Sequence, residues 1–287
     1  MKMTMECNCP VCGAKATRYA QHPEAEILRC NICTHVFSEP LGAAGSDIYD
    51  PTYFQDTHKN WFANPNITLF DWILENVPSS ATSLVDVGCG NGGFLRYAKS
   101  RRPDLELWGV DLTANEEIDG IRFVQTDAIE AKIDRKFDVI VTQAVIEHIP
   151  DVRSFCGQLV KLSHQRSLVF VMTLNNDSVL YVAARLAKRL GIEAPFNRLY
   201  SSHHVHHFTP GSLSKVLELS GFEISHVHHH NVPLKAIDLP RSGYVTRAIF
   251  IAGVVIVFAI GRLFRRCYLQ TVVARVDRKG GPGRNES

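Results

Sequence analysis

From residue 83 onward, short apolar runs rich in β-branched residues alternate with helical periods. The runs at 83–87 (SLVDV), 107–110, 121–125, 137–142 and 167–173 are each followed by turn residues or an amphipathic stretch. Near-continuous apolar runs of this length suit strands buried on both faces of a parallel sheet. Runs at 223–227 and 269–276 add a sixth and a seventh strand. Before the sixth, Pro210 suits the first turn of a helix over 210–220 and Gly221 suits its end. Upstream, 67–77 reads as a helix at the end of an aromatic-rich segment containing Tyr49, Tyr53, Phe54, Trp61, Phe62, Phe70 and Trp72. This order predicts an α/β fold built on a doubly wound sheet.

Composition divides the chain further. Residues 1–40 carry paired cysteines and no helical period, and 41–80 form a linker and a helical cap over the site. Residues 81–280 form the main domain with an apolar helical insert at 244–266, and 281–287 a flexible tail. With 31 Lys and Arg against 29 Asp and Glu, the net charge of +2 argues against nucleic acid as partner. No apolar run follows the opening Lys2, so no signal peptide is expected and the expected compartment is the cytoplasm.

The eight cysteines do not read as a disulfide framework, because four of them form two CxxC pairs. Cys9 and Cys12 are separated from Cys30 and Cys33 by 17 residues, a spacing that delivers four thiolates to one tetrahedral Zn²⁺. Four thiolates close the coordination sphere, so the zinc is expected to be structural. Thr34 stands where a second knuckle usually has glycine.

The segment Leu84 to Leu95, LVDVGCGNGGFL, runs a buried strand into four glycines and a helix start. Glycine serves where the chain turns sharply and a ligand must approach the backbone. Asp86 sets a carboxylate at the strand end, which suits a cationic ligand better than a pyrophosphate.

DVGCGNGG resembles motif I of the class I S-adenosylmethionine-dependent methyltransferases. The resemblance continues in order through Asp111 in LWGVDLT, Asp127 in FVQTDAIE and the stretch FDVIVTQAVIEHIPD, covering roughly 49–276. It implies a seven-stranded Rossmann-like methyltransferase sheet preceded by a Cys₄ zinc ribbon. It also implies that Asp86, Gly88, Gly90, Asn91, Gly92, Asp111, Leu112, Asp127, Ala128 and Gln143 bind S-adenosylmethionine. The run from CPVCG to IYDPTYF is similar to bacterial zinc-knuckle methyltransferases, often of sugars or natural products, and to a ribosomal RNA guanine methyltransferase group. The expected reaction is methyl transfer to oxygen or carbon of a small-molecule or lipid-linked acceptor, a sugar by preference. The alternatives are an RNA methyltransferase and a catalytically silent zinc-containing module.

Glu147 and His148 follow the fourth strand, and SSHHVHHFT brings His207 about sixty residues on. Some related O-methyltransferases hold a divalent metal with Glu-x-x-Glu-His and a later His, but Ala144 stands at the first of those positions here. Three readings stay open: a metal on Glu147, His148 and His207, a metal-free histidine base, and a solvated histidine-rich lid. His226, His228 and His230 share a strand face and read as a surface patch.

The apolar stretch 248–261 is 14 uncharged residues flanked by arginines. A helix of that length reaches about 21 Å, short of a bilayer core. It is expected to pack on the core or an oligomer partner, or to lie at a membrane surface through 247–266 on the inner face. Spanning would strand the seventh strand across the bilayer.

Overall fold

The computed structural model describes residues 7–41, 63–113, 118–201, 203–237 and 243–277. A seven-stranded sheet carries the fold. Its parallel strands are β5 (Ser83–Val87), β6 (Glu106–Asp111), β7 (Ile121–Gln125), β8 (Phe137–Gln143) and β9 (Ser163–Leu174). The edge strand β11 (Phe222–His230) and β12 (Leu269–Val276) complete it in the order β11-β12-β9-β8-β5-β6-β7. β12 runs antiparallel to both its neighbours. Every residue of β5 is buried, Leu84, Val85 and Val87 as apolar residues of a central parallel strand and Asp86 as a polar exception at its carboxyl end. The chain moves outward from β5 through β6 to β7 and then returns to the other side of β5 as β8. That reversal opens a crevice at the carboxyl ends of β5 and β8, where doubly wound sheets bind ligands.

Helices cover both faces. On one lie α1 (Ile67–Asn76), α2 (Gly93–Arg101), α4 (Val179–Arg189) and α5 (Ala194–Leu199), contributing Ile73, Leu95, Tyr181 and Phe196 to one core cluster. On the other lie α3 (Val152–Lys161) and α6 (Pro210–Leu219), contributing Phe155, Leu159, Leu213 and Val216 to a second. The Thr209 side chain and Ser212 form a reciprocal cap at the start of α6, and Gly221 follows its end at φ +99°.

Two expectations change here. α1 is no cap over the site: Leu69, Phe70, Ile73 and Leu74 are buried in the first core. An amphipathic helix with that much apolar surface gains more by covering a sheet than by standing over an opening. Residues 42–62, the rest of the proposed cap, lie outside the described residues. Nor are His226, His228 and His230 a bare surface patch. Trp72 of α1 stacks on His228 at 4.0 Å and 8°, and His230 stacks on His228 at 5.2 Å.

The ribbon is fused to this body. Its strands β1 (Cys7–Asn8), β2 (Lys15–Gln21), β3 (Ala25–Cys30) and β4 (Val36–Pro40) form an antiparallel meander. A fifth strand comes from the far side of the sequence, β10 (His206–His207), pairing His206 with Phe37 and His207 with Val36. Ser212 Oγ, His35 and His206 form a buried chain, with His35 Nε2 at 3.1 Å from His206 Nδ1. His206 Nε2 donates to the carbonyl of Ile149, fixing its tautomer. The Arg153 guanidinium donates twice to the Val11 carbonyl, at 3.2 and 2.9 Å.

Candidate active site and metal centre

The loop after β5 is built by backbone geometry. Gly88, Gly90 and Gly92 adopt φ of +77°, +54° and +73°. A Cβ on Gly88 would stand 2.2 Å from Val145 Cγ2, so both conformation and space exclude a side chain there. Gly88→Ala should cost about 2–5 kcal/mol of stability, from left-handed strain plus overpacking, read as a drop in denaturation midpoint.

Asp86, 2% exposed, has its Oδ1 buried with no hydrogen-bond partner. Burial, helped by the neighbouring Asp111 charge, pushes its carboxyl up to about 8. An uncompensated buried carboxyl beside a glycine loop is the observation that fits a cationic ligand. Asp111 works differently. Its Oδ2 accepts from the Gly90 amide at 2.8 Å and its Oδ1 from the amide and hydroxyl of Thr113, so it braces the loop from the end of β6.

The other expected cofactor residues line the same edge. Asn91 Oδ1 accepts from the Gly93 amide at 3.1 Å, and Leu112 is 46% exposed at the end of β6. Asp127 Oδ1 accepts from the Ile129 amide at 2.7 Å, with Ala128 buried beside it. Gln143 closes β8, followed by Ala144 at φ +53°. These residues share the carboxyl edge of β5, β6, β7 and β8.

A cation bound there must take Asp86 in its ionised form. Affinity for S-adenosylmethionine should therefore rise with pH, about tenfold per unit between roughly 6 and 7, and level above 8. The ligand-free protein behaves oppositely: its Asp86 carboxyl is raised, so the stability it contributes is present below about pH 4 and lost as pH rises through about 8. Calorimetric titration across pH reads both effects, and Asp86→Asn should flatten the binding curve.

The 3₁₀ turn Ile146–His148 follows β8 at the same crevice. Glu147 is 1% exposed, and its Oε2 accepts from the Thr173 hydroxyl at 2.9 Å. Burial raises its carboxyl to about 7 against the backbone and Thr173 hydrogen bonds that lower it. His148 Nδ1 donates to the His203 carbonyl at 2.7 Å, which leaves Nε2 as the basic nitrogen of the neutral ring. The His204 ring lies 4.8 Å from the His148 ring.

Ligand atoms of Glu147, His148 and His204 all lie within 4.8 Å of one another. His207, the residue expected from the sequence as third partner, is elsewhere. It is 2% exposed in β10, with Nε2 at 2.8 Å from Ser38 Oγ and its ring against Tyr200. Burial pulls it down to about 3 and the buried His206 to about 4, so neither is a solvated lid residue nor a base near neutrality. Strand pairing decides this: once β10 joins β4, His206 and His207 are consumed by the ribbon junction and His204 remains to meet Glu147 and His148.

In the ribbon the four Sγ atoms of Cys9, Cys12, Cys30 and Cys33 also lie within 4.8 Å of one another. The Cys9–Cys33 and Cys12–Cys30 separations of 3.5 and 3.4 Å approach the ~3.8 Å edge of a tetrahedral zinc tetrathiolate. The amides of Ile32 and Cys33 both point at Cys30 Sγ at 3.4 Å. Burial raises the Cys30 thiol, but these two amides and the neighbouring thiols outweigh it and bring it to about 7. Thr34 takes the left-handed conformation expected of a glycine, at φ +58°. The donor set fits zinc.

Comparison with known proteins agrees with this fold. The family described as methyltransferase domain matches residues 63–227, and the chain belongs to it. A ubiquinone biosynthesis O-methyltransferase of Stutzerimonas stutzeri (strain A1501) is 31% identical over 130 residues, 40% of this chain and 53% of that protein. The chain thus spans about half the length of that relative. One from Coxiella burnetii (strain RSA 331 / Henzerling II) is 26% identical over 215 residues, 66% of this chain and 88% of that protein. Among solved structures, the 1,6-didemethyltoxoflavin-N1-methyltransferase of Burkholderia thailandensis, with its substrate and S-adenosylhomocysteine bound, superposes with a TM-score of 0.55. It is 14% identical and covers 91% of this chain and 99% of its own, which establishes a shared fold.

Proposed function

We propose that the protein transfers the methyl group of S-adenosylmethionine to the hydroxyl oxygen of a small acceptor with apolar character. The observation that carries this reading is the pairing of two sites on one sheet edge: the orphaned Asp86 carboxyl under the glycine loop, and the Glu147–His148 pair across the crevice. S-adenosylmethionine, when bound, supplies a methyl group already activated on a sulfonium. Asp86 holds positive charge, Gly88, Gly90 and Gly92 let the cofactor lie against the backbone, and Asp111 keeps the loop braced. The methyl's carbon–sulfur bond would break to leave neutral S-adenosylhomocysteine, and His148 Nε2 takes the proton that the acceptor hydroxyl gives up. The Glu147 carboxylate, near 7 by burial, then faces an imidazolium it stabilises.

An oxygen acceptor is preferred over carbon because a hydroxyl needs a positioned base, which His148 Nε2 offers, and because the relatives are named as O-methyltransferases. An apolar acceptor is preferred over a sugar because exposed apolar side chains, not sugar-binding polar ones, dominate the insert at this edge of the sheet. A divalent cation on Glu147, His148 and His204 is a second reading, favoured by the closeness of their three ligand atoms. It would supply a Lewis acid for the acceptor oxygen.

The test incubates zinc-loaded protein and methyl-labelled S-adenosylmethionine with catechol and polyprenylated phenol acceptors, and with hexoses. Labelled methyl ether from the phenols supports the reading, and label confined to hexose overturns the acceptor class. Activity that a chelator removes without extracting the ribbon zinc favours the metal reading over the histidine base.

A further inference from the structure

The apolar insert is a helix, α7 (Tyr244–Leu263), of 20 residues and therefore about 30 Å long. It is longer than its uncharged stretch because Tyr244, Val245 and Thr246 continue the turn beyond Arg247. Little of it meets the core: Gly261 is its one buried residue, and half-buried Phe258 packs against the first core cluster. Half-buried Arg247, Val254, Val257 and Phe258 lead to Gly261 as a narrow stripe along one side. Around the rest, Val245, Ile249, Ile256 and Leu263 are 74, 68, 59 and 76% exposed. So continuous an apolar surface needs an occupant.

We propose that α7 docks this protein on an anionic lipid bilayer, lying in the plane of the interface with the cofactor edge of the sheet turned toward the lipid. Charge chooses the occupant. No Asp or Glu occurs from residue 239 to 276, while Arg247 sits near one end of α7 and Arg262, Arg265 and Arg266 at the other. Arginines flanking an apolar helix suit lipid phosphates. A second copy would bring the same arginines to the contact, with no carboxylate between residues 239 and 276 to meet them. Neighbouring elements enlarge it: α4, which packs against α7, leads to Leu186, Leu190 and Ile192 at 51, 81 and 57% exposure. Beside the middle of the helix, Leu234 and Ile237 share a cavity of about 230 Å³ with Phe250, Ile251 and Val254.

Topology fixes the orientation. The insert leaves after His230 and returns at Leu269, and these two residues are register partners. Leu269 also pairs with Leu174, at the carboxyl end of β9, so the insert springs from the edge that carries Glu147. The end of α7 is pinned there. The Arg266 amide donates to Gly261, the Arg266 carbonyl accepts from Val179, and a Cβ on Gly261 would meet that carbonyl at 2.9 Å. Crossing the bilayer would force residues 231–242, with the charges of Lys235, Asp238 and Arg241, to cross it too, and the described part of that segment, 231–237, holds a single 3₁₀ turn at Leu234–Ala236. The in-plane arrangement avoids this. Resting on the methyl-transfer reading, it also brings a membrane-dissolved acceptor to the crevice.

The test sediments the full chain with vesicles of phosphatidylglycerol and phosphatidylcholine, and with phosphatidylcholine alone. Binding is expected to the anionic vesicles, weakening as salt rises. Ile249→Asp with Ile256→Asp, both at exposed positions, should cut bound protein at least about tenfold. Calorimetric cofactor affinity of the same samples should not change, so loss of docking and loss of the methyltransferase reading are read separately. Overturning results are no binding to anionic vesicles, equal binding by the double variant, or retention through alkaline carbonate, which marks a spanning helix. A vesicle-free dimer that the variant dissolves, without vesicle binding, would assign the surface to a second copy.

Discussion

Alanine in place of His148 is expected to lower kcat by about 10²–10⁴, with affinity for S-adenosylhomocysteine changed by no more than about twofold. The imidazole is the group whose lone pair the fold prepares. Its Nδ1 is committed to the His203 carbonyl at 2.7 Å, so proton uptake falls to Nε2. The buried Glu147 carboxyl, near 7, adds a pH signature. Turnover needs the pair in its basic form, so kcat should fall as pH drops below about 7. Glu147→Gln should move or abolish that limb. A His148→Ala enzyme with wild-type turnover would remove the base from the account.

Extracting zinc has the second large expected effect. A tetrathiolate zinc site supplies on the order of 10 kcal/mol or more to folding, and the ribbon offers little core of its own. Ala16, Leu28 and Phe37 form its separate buried cluster. Chelation, or Cys30→Ser, should melt the meander, seen as loss of strand signal and a lower thermal midpoint. The damage should spread. β4 holds β10, the Ser38 amide donates to Val205, and the Val205 amide donates to the Glu147 carbonyl. Freeing β4 therefore loosens the loop that positions His203 and His204 against His148. Turnover should fall at least tenfold while Asp86 and the glycine loop retain cofactor binding. Chelated protein with unchanged melting and turnover would contradict this coupling.

The sheet could be read from the sequence because each strand advertises itself locally. The boundaries of β5, β7 and β12 coincide with the apolar runs expected at 83–87, 121–125 and 269–276. The glycine loop and the CxxC pairs were equally legible, since turn geometry and metal spacing are written in adjacent residues. The ribbon junction was not. β10 is two residues long and pairs with a strand about 170 positions away, which leaves no period to detect. That hidden pairing is why His207 and His204 could not be told apart in SSHHVHHFT. The only available signal was alternation, which two short runs of paired histidines do not supply. α1 was legible as a helix but not as a core helix, because the pattern of one helix does not say which surface its apolar face covers. The length of α7 was underestimated by counting only uncharged residues, although Arg247 is tolerated at its half-buried edge.

The central claim is methyl transfer at the carboxyl edge between β5 and β8. Its most direct test gives zinc-loaded protein and methyl-labelled S-adenosylmethionine the separated lipid, aqueous, RNA and protein fractions of its own cell. The account predicts label in a lipid-extractable methyl ether, strongly reduced by Asp86→Asn and by His148→Ala. Label in RNA, or none in any fraction from folded protein that binds the cofactor, would contradict it.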